Sequence, residues 1–324
     1  MVYGLTGNPT KPQIWTPLAR LVDWLRTQNM DFCLHEPIAV GLRDRHLLDD
    51  TVCSEVGAVA LAKRSDVVLS FGGDGTLLRT AHETGPNATP VLGVNIGRLG
   101  FLADIEVDDL FRAFEEMEAG RYTIDERMVL QADVPADGST DVAWALNEFV
   151  LDRSGEAGLI EIDVSVDGEE LNTYWADGLI IATPTGSTAY SLSTGGPILA
   201  PGVDGIILTP IAPHTLTVRP IVLPASVEIR ARVLANDQPY VFAADGRSTL
   251  YEKHDLLFSV RRAAHTVNLL KLEDQHFFKT LRKKLMWGVS RSTKDADTSS
   301  MHPPSFDRSL SSVSTDDAHG GADR

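Results

Sequence analysis

Residues 65–79 read SDVVLSFGGDGTLLR. A short apolar run ends at glycines, and helix-like spacing starts straight after them. The run predicts a strand buried on both faces, as in a parallel sheet. Gly72, Gly73 and Gly75 let the backbone turn sharply and approach a ligand closely. A loop between a strand and a helix start presents amide N–H groups and the positive end of the helix dipole, which favour an anion. Gly72, Gly73, Gly75 and Thr76 therefore form a candidate phosphate loop. Asp74 does not fit that task, because a carboxylate repels phosphates. It is free to accept a hydrogen bond from a hydroxyl nucleophile, to hold Mg²⁺, or both. The competing possibility is a tight turn whose Asp caps its own helix.

The rest of the first 125 residues repeats that alternation. MVYGLTG (1–7) reads as a strand entering a glycine turn, and Thr16 and Pro17 as a helix cap and first turn. Leu18, Leu21, Val22 and Leu25 follow at helical spacing. MDFCLHE (30–36) and PVLGVNIG (90–97) read as further strands. Leu110, Phe111, Phe114 and Met117 share one helical face, with Gly120 as the stop. Strand–helix alternation predicts an α/β domain, a Rossmann-like parallel sheet flanked by helices, over residues 1–122. From 123 to 270 strand-like runs follow one another, and Asp167-Gly168 sits between two of them as a hairpin signal. That half reads as a β-rich, sandwich-like domain. Residues 271–289 return to helical spacing, as a C-terminal helix packing back on the first domain. The 290–324 tail is rich in Ser, Asp, Thr, Gly and Pro and reads as disordered.

The chain has 324 residues, enough for two domains with real cores. No apolar run has membrane-spanning length, which predicts a cytoplasmic protein with no membrane partner. Cys33 and Cys53 are too few for a disulfide framework. Asp and Glu number 45 against 29 Lys and Arg, a net charge of −16, which argues against nucleic acid as a partner. Only 8 of those 29 are lysines, and acidic, lysine-poor surfaces suit high salt, where self-repulsion is screened. There is no GxxxxGK[ST], no GxGxxG, no zinc-ligand spacing and no GxSxG.

A second stretch narrows the chemistry. Residues 177–197 read DGLIIATPTGSTAYSLSTGGP. With GGDGTLLR and the Asn147-Glu148 pair, it closely resembles the NAD kinase family. VNIGRLGFLAD (94–104), PIAPHTLTVRPIVLP (210–224), FAADGR (242–247) and LRKKLMWG (281–288) resemble further family segments, in the same order. The resemblance covers about residues 1–288. It implies phosphoryl transfer to the 2′-hydroxyl of the adenosine ribose of NAD, a homodimer or homotetramer, and a divalent cation, usually Mg²⁺. It assigns Asp74 as proton acceptor and sets Gly75 and Arg79 beside the ligand. Asn147, Glu148 and Asp177 match nucleotide contacts. Thr188, Ala189, Tyr190, Ser191, Leu192 and Ser193 match the segment along the adenosine. Arg247 stands where some members have Gln, and Trp175 where some bacterial members have Arg; both departures bear on the nicotinamide end. The donor, ATP or polyphosphate, stays open.

The residue chemistry accommodates these roles. Tyr190 offers an aromatic face and Asn147 both a donor and an acceptor for an adenine edge. Each has a plainer counterpart: Glu148 as a solvated strand charge, Asp177 as a turn residue, Arg79 as a helix-surface cation and His214 as a structural histidine. Lys279, Arg282, Lys283 and Lys284 read as a solvated helix face rather than a nucleic-acid patch. Two other functions share some of these features. A lipid kinase with the same GGDGT loop predicts an apolar groove and membrane affinity, and a non-catalytic NAD(P) sensor predicts binding without turnover.

Overall fold

In the computed structural model Val67–Gly72 is a strand with every residue buried, and Asp74–Thr84 is the helix that follows it. The structure describes residues 1–49, 55–97, 100–103, 105–136, 139–155, 158–234, 239–252 and 255–287. The expectations for Cys53 and for a disordered 290–324 tail fall outside them. Strands β1 (Val2–Gly7), β2 (Asp31–His35), β3 (Glu55–Val56), β4 (Val67–Gly72), β5 (Val91–Asn95) and β6 (Ile105–Glu106) pair in parallel. Helices α1 (Trp15–Thr27), α2 (Glu36–Arg43), α3 (Ala58–Arg64), α4 (Asp74–Thr84) and α5 (Leu110–Glu118) connect them. All of β4 and β5 is buried, because helices cover both faces of the sheet.

Along the order β5-β4-β1-β2-β3, the chain leaves β1 toward β2 and comes back to β4 on the other side. β1 and β4 therefore flank the point where the winding reverses. In open α/β sheets ligands bind outside the carboxyl ends of the strands at that crevice. Gly7 ends β1 and Gly72 ends β4, so topology alone puts the glycine-aspartate loop at the crevice.

The second half contains β7 (Tyr122–Ala136), β8 (Ser139–Ala145), β9 (Glu148–Arg153), β10 (Ile160–Val166), β11 (Glu169–Ala176) and β12 (Gly178–Ala182). After these come the four-residue helix α6 (Tyr190–Ser193), β13 (Gly205–Ile211), β14 (Ile221–Pro224), β15 (Ile229–Leu234), β16 (Tyr240–Ala244), β17 (Arg247–Tyr251) and β18 (Leu256–Leu272). Strands β14-β13-β12-β9-β16-β17 make an antiparallel six-stranded sheet. It packs against antiparallel strands of the larger sheet through one core. Phe149 and Phe242 stack at 5.2 Å, and Phe242 and Phe258 at 4.9 Å, across that core. Asp167 and Gly168, at φ 51° and 85°, form the two-residue turn joining β10 to β11, as their dipeptide signals.

The halves share a sheet. β18 pairs antiparallel with β7 from Ser259 to Leu272, and its Leu269 pairs in parallel with Val91 of β5. Twelve strands thus run through both halves, and Met1–Trp287 form one compact unit. Helix α7 (Phe277–Leu285) then brings Lys283 to Glu106 at 2.9 Å and Lys284 over the Phe101 ring.

Two local expectations need correction. Thr16 does not cap α1: a 3-10 turn over Pro12–Ile14 runs directly into the helix, which begins at Trp15 without a side-chain cap. Leu18, Leu21, Val22 and Leu25 are nevertheless all fully buried. In α5 the buried face is Leu110, Ala113, Phe114 and Met117; Phe111 lies at its edge, against Trp24.

Candidate active site

Gly73, extended at φ −127° and ψ −169°, is the residue before α4, and Asp74 is the helix's first residue. None of Gly72, Gly73 and Gly75 has positive φ, so the chain passes from strand to helix here without left-handed backbone. Their contribution is space. A Cβ on Gly73 or Gly75 would meet no atom of the described residues beyond its chain neighbours within 4 Å, whereas the Cα of Gly72 is covered by the Thr76 side chain.

Asp74 does not cap its own helix. Its carboxylate reaches the next loop instead. Oδ2 accepts the amide of Phe101 at 2.8 Å, and Oδ1 accepts those of Leu102 at 2.9 Å and Ala103 at 3.0 Å. This answers the capping alternative: the acid belongs to a tertiary cradle. Gly100 is the residue the cradle depends on, since a Cβ there would lie 1.9 Å from Asp74 Oδ1. Lys271, buried on β18, lies with Nζ 3.4 Å from the Leu102 carbonyl and so supports the same loop. Arg79 spans the crevice. Its Nη2 donates to the Gly7 carbonyl at 2.9 Å, while Nε lies 3.5 Å from Glu83.

The second wall starts at β9. Asn147 and Glu148 are both buried, and no hydrogen bond from the Asn147 side chain occurs among the described residues. Glu148 is not a solvated charge. Burial, then the nearby Asp245 charge, push its carboxyl up to about 8, and the Tyr190 amide offsets part of this. Its Oε2 is buried without a partner among the described residues. Gly186 crosses directly above Asn147, where a Cβ would come within 2.1 Å of the Asn147 carbonyl oxygen.

The hydroxyls of the TPTGST segment mostly build the loop itself. Thr183 Oγ1 donates to the Leu146 carbonyl at 2.6 Å and Ser187 Oγ to the Pro184 carbonyl at 2.6 Å. Ser191 is fully buried on Thr209 at 3.0 Å. Thr188, Ala189 and Leu192 are half-buried, Ser193 is exposed, and Tyr190 is 40% exposed. Burial, followed by the charges of Asp152 and Asp177, raises the Tyr190 hydroxyl's pKa. Asp177 is held by Arg153, Oδ1 to Nε at 2.7 Å, and is more than a turn residue. Trp175 is exposed, and its carbonyl accepts the His214 amide at 2.8 Å.

Arg247 lies at the join between the walls, with Nη2 3.3 Å from the Trp144 carbonyl and 3.2 Å from His82 Nε2. Residues without a sequence signal support the walls from behind. Buried Arg127 donates to Thr185 Oγ1 at 3.2 Å while pairing with Asp125 at 2.6 Å. A cavity of about 780 Å³ opens between β8 and β17, and of the expected site residues Arg247 lines it.

Comparison with known proteins bears on both walls. Residues 4–122 match the ATP-NAD kinase N-terminal domain, and 146–272 the ATP-NAD kinase C-terminal domain. An NAD kinase of Moorella thermoacetica is 36% identical over 302 residues, 93% of this chain and 94% of the relative. One of Heliobacterium modesticaldum is 38% identical over 295 residues, 88% and 98% of the two chains. The solved yeast NADH kinase complexed with NADH superposes with a TM-score of 0.82 at 26% identity, covering 91% of this chain and 90% of that one. An Archaeoglobus fulgidus NAD kinase in complex with ATP shares the fold, with a TM-score of 0.68 at 22% identity over 88% and 99% of the two chains.

Proposed function

The chain belongs to the NAD kinase family, and from that premise we propose that Asp74 Oδ2 takes the proton of the 2′-hydroxyl of the NAD adenosine ribose. The oxygen left behind attacks the γ-phosphorus of ATP, the bond to the bridging oxygen breaks, and NADP and ADP leave. The chain is a kinase that phosphorylates NAD. The family match sets aside the lipid-kinase and sensor alternatives.

The observation that carries the Asp74 assignment is its cradle. A carboxylate has about four acceptor positions, and amides of residues 101–103 fill three. The remaining one is on Oδ2. Phosphoryl transfer depends on positioning and charge stabilisation more than on covalent chemistry, and three amide bonds hold this oxygen still. The open faces of Gly73 and Gly75 leave room for the donor phosphates at the α4 N-terminus. The nucleotide lies along Asn147, Glu148, Asp177 and residues 188–193, with Arg79 and Arg247 beside it. The ATP-NAD kinase domain matches favour ATP as donor over polyphosphate.

Kinases of this kind use a divalent cation, and we take it to be Mg²⁺. The described residues contain no group of three or more His, Cys, Asp or Glu able to hold a metal ion. Mg²⁺ keeps most of its waters and would ride on the substrate phosphates, so it asks no fourth acceptor position of Asp74. Bound there, it would offset the phosphate charge. No helix among the described residues is long and apolar enough to cross a membrane. A cytoplasmic homodimer or homotetramer completes the proposal, and light scattering would count its subunits.

The test is one assay of NADP formation crossing NAD and NADH with ATP and polyphosphate, repeated on Asp74→Asn. General-base help is worth ~10²–10⁴ in rate. The variant should lose a factor in that range from kcat and still bind NAD. Turnover near that of the parent would end the Asp74 assignment.

A further inference from the structure

Asp245 carries no role in the scheme above, yet it sits where the two walls of the site join. Its side chain is 0% exposed. Oδ1 accepts the amides of Asn147 at 2.8 Å and Glu148 at 3.2 Å. Oδ2 accepts the amide of Leu146 at 2.7 Å and lies 2.8 Å from His82 Nε2. The same Nε2 lies 3.2 Å from Arg247 Nη2, so His82 sits between the two side chains. The Asp245 amide in turn donates to the Glu148 carbonyl at 3.1 Å.

Backbone geometry makes this possible. Asp245 and Gly246, at φ 47° and 78°, form the two-residue turn between β16 and β17, and Asp tolerates that conformation. His82 is eight residues along α4 from Asp74, and its ring stacks on Trp144 with centroids 3.8 Å apart. One carboxylate thus holds three successive amides of the β9 wall and the helix that begins at Asp74.

We propose that Asp245 is a positioning residue for phosphoryl transfer: through His82 and the 146–148 amides, it sets the spacing between Asp74 and the strand that carries Asn147 and Glu148. The inference rests on the NAD kinase reading. A merely structural acid at this turn would affect the yield and melting of the protein but not the kinetics of the folded fraction. A positioning acid affects catalysis in folded protein, because a displacement near 1 Å can cost 10²-fold in rate.

The experiment compares full-length parent, Asp245→Asn, His82→Phe and the double variant, each confirmed folded by circular dichroism. His82→Phe keeps a ring against Trp144 and removes both the bond to Oδ2 and the contact with Arg247 Nη2. For Asp245→Asn, kcat/KM for NAD should fall about 30–100-fold, with KM for NAD raised, kcat lowered and KM for ATP within threefold of the parent. For His82→Phe, kcat should fall about tenfold with KM for NAD nearly unchanged. The double variant should be no more than threefold worse than Asp245→Asn, since residues in one network are non-additive. Folded Asp245→Asn within threefold of the parent in kcat/KM would overturn the proposal, as would simple additivity. If Asp245→Asn does not fold, His82→Phe decides: kcat within twofold of the parent overturns it. Absence of NADP formation by the parent would indict the functional reading instead, and it shows in the first assay.

Discussion

Gly100→Ala probes the cradle without touching the acid. The added Cβ would sit 1.9 Å from Asp74 Oδ1 and 2.6 Å from its Cγ. Real Cβ contacts are essentially never shorter than 3.0 Å, so moving from 1.9 to 3.0 Å requires a retreat of about 1.1 Å. Either the carboxylate or the 100–103 backbone makes that move. In both cases at least one of the three amide bonds, at 2.8, 2.9 and 3.0 Å, is lost. A hydrogen bond to a charged group is worth about 1.5–3 kcal/mol, so melting should fall by ~3–10 °C. A displacement near 1 Å at the reacting centre costs on the order of 10²-fold in rate. A coupled assay of NADP formation should therefore show kcat down about a hundredfold, while calorimetric affinity for NAD moves less than threefold, because the β9 wall is untouched. A Gly100→Ala enzyme with parental kcat would refute the claim that the amide-held acid is the catalytic group.

Glu148→Gln tests the buried carboxyl. Its folded pKa of about 8 lies above the ordinary 4.5. The folded form keeps a proton that the unfolded chain has lost, so stability declines as pH rises from about 4.5 to 8 and levels beyond. Gln has no proton to lose, and its melting advantage should grow across that window, toward a few kcal/mol at pH 8.5; a flat advantage would sink the assignment. Gly186→Ala would drive a Cβ to 2.1 Å from a backbone oxygen of Asn147. Overpacking of this kind costs about 1–3 kcal/mol, so the urea midpoint should drop and KM for NAD rise, and an unchanged midpoint would disprove the close packing. The −16 net charge predicts melting that climbs by several degrees between about 0.05 and 1 M KCl, as the screening length shortens from roughly 14 to 3 Å. Melting indifferent to salt would remove the halophilic interpretation.

The most legible parts of the molecule were those decided within a few residues. The 65–79 stretch announced a buried strand and a helix, and both are present; the loop expected between them shrinks to Gly73, with Gly72 still in β4 and Gly75 and Thr76 already in α4. Asp167-Gly168 announced its hairpin. What escaped was set by partners far along the chain. Nothing near Asp74 signals that amides 27 to 29 residues later will hold it. Residues 188–193 match the segment along the adenosine, yet the hydroxyls of Thr183, Ser187 and Ser191 bond within their own wall, because a buried turn must satisfy its own polar groups. The Asp-Gly of FAADGR marks a hairpin in any sequence, but no local pattern tells where that Asp's carboxylate points. The seam between the halves was invisible for the same reason: pairing of β7 with β18 joins residues more than a hundred positions apart.

That seam has a consequence for how the polypeptide is made. The ribosome delivers β4 and β5 long before β18, whose Leu269 is the partner of Val91. The nascent amino-terminal sheet therefore emerges with the β5 side lacking this neighbour, until residue 269 of 324 has been added. Premature termination anywhere before residue 256 leaves an open β edge of the kind that recruits other chains, so truncated products should be held by chaperones or aggregate rather than persist as a free α/β half.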